Sequence, residues 1–371
     1  MNDMVIQVRF KCKNLIALLL VTFFIQQGMG QDAISYQSLR GQIDRIIRYD
    51  TDIPTGNHHG FIIGIIDGDR HWILDYPGTP ADSLNGDMVF ELGGLSQVFT
   101  AHYLTELADK GNLDLDDPIA ISGISLPGTW KEVTWRQCFQ YATGLPRVIP
   151  GLAADQSPDN PYGNIAFPDL ISAISRIPFK PGTFRYSPHP YAMIQAALEM
   201  LFDQPYEAQI NDFCNGLGLI NTGIITPKPE VTATGYRRNG IVAIPWHVPA
   251  YQASLGLSGT MNDLMHYAHW LLNHAGDPRF ENLFQPTLKT HLRGRIDMAG
   301  GWYVLKPVRR SQIYTHSGQT GGHKAYLGFV PATQTAVMIL GQSPEETNDL
   351  GLLILRMIND SWKRKKPDEK E

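Results

Sequence analysis

Phe90-Glu91-Leu92-Gly93-Gly94-Leu95-Ser96-Gln97-Val98-Phe99-Thr100-Ala101 leads, through a pair of glycines, into a helix predicted over Gln97–Lys110. Ser96 is the obvious nucleophile candidate in it. The residues three and four further on are Phe99 and Thr100, and neither can take a proton from a serine. Helix positions two apart are separated by about 200°, so Ser96 points away from wherever residue 94 points.

Working outward, Ser35–Tyr49 has apolar residues at helical spacing (Leu39, Ile43, Ile46, Ile47). Phe61-Ile62-Ile63-Gly64-Ile65-Ile66 reads as a buried strand, joined across Asp67-Gly68-Asp69-Arg70 to a second strand at His71–Tyr76. At the other end, Ile313–His316, Lys324–Val330 and Thr335–Leu340 read as three further strands before a terminal helix from about Glu346 to Lys363. Between the two ends lie helical stretches at Gln97–Lys110, Thr134–Tyr141, Pro168–Ser175, Tyr191–Phe202, Tyr206–Asn215 and Asn262–Asn273, joined by Gly/Pro-rich loops. The pattern predicts an α+β fold: an antiparallel sheet from the terminal parts of the chain (about 35–85 and 295–362) with an inserted helical lobe (about 86–294) and a cleft at their junction.

The chain has 371 residues, 43% of them hydrophobic and 18% charged, enough to bury a large core and too apolar for disorder. Arg9, Lys11 and Lys13 precede the apolar run Leu15–Ile25, and Gly28-Met29-Gly30 offers a small-x-small cleavage site, so residues 1–30 read as a signal peptide and the product as secreted or periplasmic. The run is too short to span a bilayer. Cys12 precedes it and no cysteine directly follows it, so no stable membrane anchor is expected after cleavage. Without residues 1–30 the chain keeps 28 Lys+Arg against 35 Asp+Glu, a net charge of −7. Its only dense basic run, Lys363–Lys366, is followed by Asp368, Glu369 and Glu371; residues 363–371 read as a solvated tail, and no nucleic-acid partner is expected. Cys138 and Cys214 sit in apolar contexts and are expected as two buried thiols.

Five stretches stand out in order: Phe90–Ala101, Leu104–Asp117, Val133-Thr134 through Gly144-Leu145-Pro146, Lys180–Ser187, and Thr315-His316-Ser317-Gly318-Gln319-Thr320-Gly321-Gly322-His323. Together they resemble the serine β-lactamase and penicillin-binding-protein superfamily, in particular proteins related to class C β-lactamases. The resemblance covers about residues 36–360 and implies a β-lactamase/transpeptidase-like fold. In that family a nucleophilic serine is followed three residues later by a lysine, the S-x-x-K signature. The register here puts Gly94 at the serine position and Gln97 at the lysine position. Glycine has nothing to acylate, and a neutral amide neither accepts the serine proton nor supplies a positive charge.

The family's second motif is Tyr-x-Asn; Tyr186 is present and Pro188 replaces the asparagine. With no lysine beside it, Tyr186 is expected to keep an ordinary pKa near ~10 and to act as a poor base. The third motif, Lys-Thr-Gly or His-x-Gly in relatives, is intact as His316-Ser317-Gly318, and the resemblance places it on a strand whose edge docks a peptide or acyl-amide ligand. The expected binding residues are therefore Gly94, Gln97, Tyr186, Pro188, His316, Ser317 and Gly318, with no catalytic residue, no metal ligand and no cofactor. His266 and His269, with Asp263 one turn before and His274 after, match no standard zinc spacing and read as a solvated helix face, as does the loop pair His58-His59.

The reading is an exported pseudoenzyme whose cleft binds a peptide, a cell-wall fragment or a partner protein. Two alternatives stand beside it. One is an active esterase or peptidase that uses water or an unorthodox nucleophile, with Tyr186 and His316 as proton carriers and His316 titrating near neutrality. The other is a structural protein whose cleft is filled by Pro188, Gln97 and their neighbours.

Overall fold

The computed structural model describes residues 35–53, 59–78, 84–152, 159–225, 228, 230–292, 296–307, 310–345 and 347–363. The leader over 1–30, His58 and the tail beyond 363 lie outside them. Two units divide the chain, residues 1–44 and 45–371. The described part of the first is the opening of helix α1 (Tyr36–Asp50), which runs across the division. All that follows concerns the second unit.

Strands β1 (Phe61–Asp67) and β2 (Arg70–Tyr76) form the hairpin read from the sequence, with Gly68 taking φ +62° in the turn. β3 (Val89–Glu91) leads through a 3-10 turn at Gly93–Leu95 into α2 (Ser96–Asp109). The helical stretch continues with α3 (Trp135–Phe139), α4 (Phe167–Ile174), α5 (His189–Phe202), α6 (Tyr206–Gly216) and α7 (Gln252–Leu255). β4 (Ser258–Thr260) pairs with β3 and feeds α8 (Met261–His274), which Thr260 caps by accepting the Asp263 N–H. After α9 (Glu281–Phe284) come β5 (Leu288–Lys289), β6 (Ile296–Ala299), β7 (Trp302–Leu305), β8 (Ile313–Gln319), β9 (Lys324–Val330), β10 (Thr335–Gly341) and α10 (Asn348–Lys363).

The sheet is antiparallel, in the order β2-β1-β10-β9-β8-β7-β6-β5. Segments from the two ends of the chain thus pair within it, one strand in from the β2 edge, where β1 runs beside β10 from Phe61↔Gly341 to Asp67↔Thr335. Every residue of β1, β9 and β10 is buried, so these strands are covered on both faces. Leu327, Phe329, Met338 and Leu340 join the core shared with the helices, while Tyr326 and Gly328 meet Gly351 and Leu355 of α10. This is the α+β arrangement expected from the sequence.

Three differences have physical causes. The pair β3–β4 and the strands β5 to β7 are two to four residues long, too short for a periodic signal. Helix α3 stops at Phe139 and not at Tyr141, because Tyr141 takes φ +58°. The Ala142 N–H then bonds to Gln137 O and the Tyr141 N–H to Cys138 O, a Schellman cap with tyrosine where glycine is usual. Asp263 does not share the solvated face of α8: it is buried and accepts the Asn221 N–H at 2.7 Å and the Thr222 hydroxyl at 2.9 Å. His266 is exposed and His269 half-buried, with Met265, Ala268, Leu271 and Leu272 turned inward. His59 stacks on Tyr236, with ring centroids 4.6 Å apart. Cys138 and Cys214 are buried free thiols, as read from their context.

Candidate active site

Two glycines bring the start of α2 against β8. A β-carbon on Gly318 would lie 1.8 Å from Leu92 O and 2.7 Å from Gly94 N, and one on Gly93, at φ +51°, would lie 2.6 Å from Gln319 O. Only glycine lets the two backbones approach this closely. β8 pairs with β9 from Tyr314 to Gln319 but with β7 only from Ile313 to Thr315. Among the described residues, then, the His316–Gln319 half of β8 has no strand on its second edge, and it runs past Gly94.

A cavity of about 290 Å³ opens there, near the lower end of small-ligand sites. Gly94, Tyr186, Pro188, His316, Ser317 and Gly318 line it, six of the seven residues singled out from the sequence. A β-carbon on Gly94 would sit 3.1 Å from the Tyr186 hydroxyl and 3.2 Å from Ser317 O, so the absent side chain lets these groups close over the helix start. Pro188 stands at the N-terminus of α5, with Pro190 in the helix's first turn, where missing N–H groups leave nothing unpaired.

Gln97 is not in the lining. It is fully buried beneath the cavity, donating from Nε2 to Ser254 Oγ at 2.7 Å and accepting the Tyr141 hydroxyl proton on Oε1 at 2.5 Å. The Tyr141 oxygen also lies 2.9 Å from His316 Nε2. Since the single Tyr141 proton goes to Gln97, His316 Nε2 carries the proton on that side and donates to Tyr141. A one-way relay results, His316 to Tyr141 to Gln97 to Ser254, with no net charge on any member.

Burial keeps it neutral. Desolvation pushes Tyr141 well above the ordinary tyrosine value and raises Tyr186, whose hydroxyl is within hydrogen-bonding reach of Gln97. Tyr186 therefore does not keep the ordinary value expected from the sequence. Desolvation also lowers His316 to about 4, so it is an uncharged imidazole at neutral pH and does not titrate near neutrality as the active-enzyme reading requires. Ser96 is fully buried, outside the cavity lining, and its Oγ accepts the Leu257 N–H at 3.0 Å.

Residues 43–356 match the Beta-lactamase family. The chain belongs to the beta-lactamase family. It is 24% identical over 317 residues to D-alanyl-D-alanine-carboxypeptidase/endopeptidase AmpH of Escherichia coli K12, covering 77% of this chain and 80% of that protein. The class C beta-lactamase of Rhodobacter sphaeroides superposes with a TM-score of 0.71 at 20% identity, over 87% of this chain and 99% of that one. The octameric penicillin-binding protein homologue of Pyrococcus abyssi gives 0.71 at 19% identity, over 87% and 77%. The structural likenesses establish the beta-lactamase fold.

Within this beta-lactamase scaffold the sequence reading missed the parts of the site that lie outside the motifs. Tyr141 was read as a helix end, and the signal against that is its place just before Ala142-Thr143-Gly144-Leu145, where the chain must turn. Ser254 lies in a four-residue helix with no periodic signature. Tyr162, Tyr303 and Trp246 form aromatic walls, and Arg147, Leu255, Gln319, Lys324 and Asn348 complete the lining. Trp246 is fixed from behind: its backbone N–H donates to Glu91 Oε1 at 2.5 Å and its indole N–H to Asp159 O at 2.6 Å. Glu91 also accepts Thr320 Oγ1 at 2.6 Å and lies 3.0 Å from His323 Nδ1. Burial alone would raise the Glu91 carboxyl, but His323, Thr320 and Trp246 together hold it below the ordinary range.

Proposed function

We propose that this beta-lactamase-family chain is an exported pseudoenzyme that uses its cleft to bind a peptide, a cell-wall fragment or a partner protein without forming an acyl-enzyme. The observation that carries the reading is the pairing of Gly94 with a fully buried Gln97 that is committed to Ser254 and Tyr141. An acyl-enzyme needs a hydroxyl at the first position and a group that removes its proton at the second. Removing one member of such a unit in a related mechanism commonly lowers kcat by about 10⁶-fold.

Binding is supported by the unpaired His316–Gln319 edge of β8 beside a cavity of about 290 Å³, a geometry suited to adding an extended peptide as a further strand. That space also weighs against a cleft filled by its own side chains. The relative AmpH carries D-alanyl-D-alanine carboxypeptidase in its name, which makes a D-alanyl peptide a reasonable first ligand to test. Export rests on the basic, apolar and small-residue pattern of residues 1–30. No described helix is long and apolar enough to cross a membrane.

The active-hydrolase reading requires Tyr186 or His316 to take a proton at neutral pH, and burial acts against both. Fluorescent penicillin tests the proposal on a denaturing gel: no labelled band is expected from the purified protein, and a band that excess unlabelled penicillin removes would overturn it.

A further inference from the structure

A second cavity, of about 310 Å³, lies against the one beside β8 and is slightly larger than it. The two share Trp246 and Leu255 in their linings, so these side chains stand between them. Leu255 ends α7, whose Ser254 accepts from Gln97, and it is packed into the core. Trp246 comes from a loop and is only half-buried. It stands at the Gln319 end of the open β8 edge, because a β-carbon on Gly321 would lie 3.0 Å from its indole nitrogen.

The indole is latched rather than loose. Its N–H donates to Asp159 O, the Trp246 backbone N–H donates to Glu91, and the carbonyl of the next residue, His247, accepts from Asn160 Nδ2 at 3.0 Å. Asp159 is itself tied to Arg237 by an ion pair at 2.8 Å. Swinging the ring aside breaks the bond to Asp159 O and lifts it off Tyr162, whose ring centre is 5.9 Å away. Behind the indole the second cavity is mostly apolar, with Ile224, Ile225, Pro245, Val248 and Leu257 in its walls. Of its two carboxylates, Glu207 is exposed and Glu91 is already engaged by Trp246, Thr320 and His323. Such a space favours an apolar group once a path to it exists.

We propose that Trp246 is the size-selecting residue of the cleft: it shuts the second cavity off and restricts the ligand to one whose group at the Gln319 end of the β8 edge is small, about the size of a methyl. This rests on the reading of the cleft as a ligand site and adds the size of the ligand to it. A peptide carrying a bulky apolar group at that end meets the indole face. With the indole removed, the same group reaches the wall formed by Ile224 and Ile225 and leaves water there.

Two peptides test it by calorimetric titration of the full-length mature chain: N-acetyl-D-alanyl-D-alanine and N-naphthylacetyl-D-alanyl-D-alanine, identical apart from the naphthyl ring. The quantity read is the ratio of their affinities within each protein, since Trp246 also lines the first cavity. The parent is expected to bind the acetyl peptide at least as tightly as the naphthyl one. Trp246→Ala is expected to shift the ratio toward the naphthyl peptide by about 10-fold or more, the effect of burying about two CH₂ groups. Ile225→Trp placed in the Trp246→Ala background refills the second cavity and is expected to take that gain back. Should Trp246→Ala unfold, Trp246→Leu, which also thins the wall, must move the ratio in the same direction. A parent that prefers the naphthyl peptide, a ratio that Trp246→Ala leaves unchanged, or a gain that Ile225→Trp does not reverse would each overturn the size selection and leave the ligand site standing. No binding of either peptide to either protein would remove the ligand site itself, and this inference with it.

Discussion

Replacing Tyr141 with phenylalanine deletes one oxygen and keeps the ring, so the packing of Tyr141 against Tyr186, Tyr191 and Tyr303 stays in place. What is lost is the middle of the relay. Gln97 Oε1, which accepts from that hydroxyl at 2.5 Å, and His316 Nε2, 2.9 Å from it, both lose that bond. Gln97 and His316 are 0% and 2% exposed, so water does not replace the missing bond. An orphaned buried polar group costs about 1–3 kcal/mol, and two of them bring Tyr141→Phe to a loss of about 2–6 kcal/mol. Urea unfolding followed by far-UV circular dichroism measures it. In the Gln97→Leu background the same change should be milder, since one orphan is then removed, giving a coupling of about 1–3 kcal/mol in the double-mutant cycle. A Tyr141→Phe variant within about 0.5 kcal/mol of the parent, with no coupling to Gln97, would refute the relay.

Acid should weaken the fold from about pH 6.5 downward. Burial lowers His102 to about 3, and His189 and His316 to about 4, whereas the unfolded chain binds protons at these positions from about 6.5 downward. Because the unfolded state holds more protons between pH 6.5 and 4, stability falls across that window by about 1.4 kcal/mol per pH unit for each histidine, and His316→Gln should remove one histidine's share of the slope in unfolding curves taken from pH 7 to 4. Gly318→Ala puts a methyl 1.8 Å from Leu92 O, where backbone meets backbone; a loss of at least about 3 kcal/mol, or failure to fold, is expected, and a variant of parental stability would show that β8 and the α2 start are further apart than described. Gly94→Ser alone should fold, with the Tyr186 hydroxyl and β8 giving way by a few tenths of an ångström, and stay unlabelled by fluorescent penicillin. Adding Gln97→Lys should bring labelling back, because the ammonium then stands beside the new hydroxyl; labelling of the single Gly94→Ser variant would show that Gln97 is not the limiting loss.

The sheet was legible because β1, β9 and β10 are buried on both faces and so appear as unbroken apolar runs such as Phe61–Ile66 and Ala325–Val330. The helices at 96–109, 189–202 and 261–274 were legible from their spacing, within a residue or two at their ends. Of the candidate site, the motif positions Gly94, Tyr186, Pro188 and His316–Gly318 are read from order and spacing, and the structure sets them around one cavity. The remaining groups come together only through tertiary contact. Gln97 meets Ser254 across 157 residues and Tyr141 meets His316 across 175, distances over which periodicity carries no information. Tyr141 was misread for a local reason as well, since a tyrosine at positive φ contradicts its own backbone preference and is held there by the contacts of its ring and hydroxyl.

Intact-protein mass spectrometry after prolonged incubation with benzylpenicillin tests the central claim most directly. An unchanged mass is the predicted result, because the position that would be acylated carries no hydroxyl. A covalent adduct of the drug's mass that maps to any serine of the chain would contradict it.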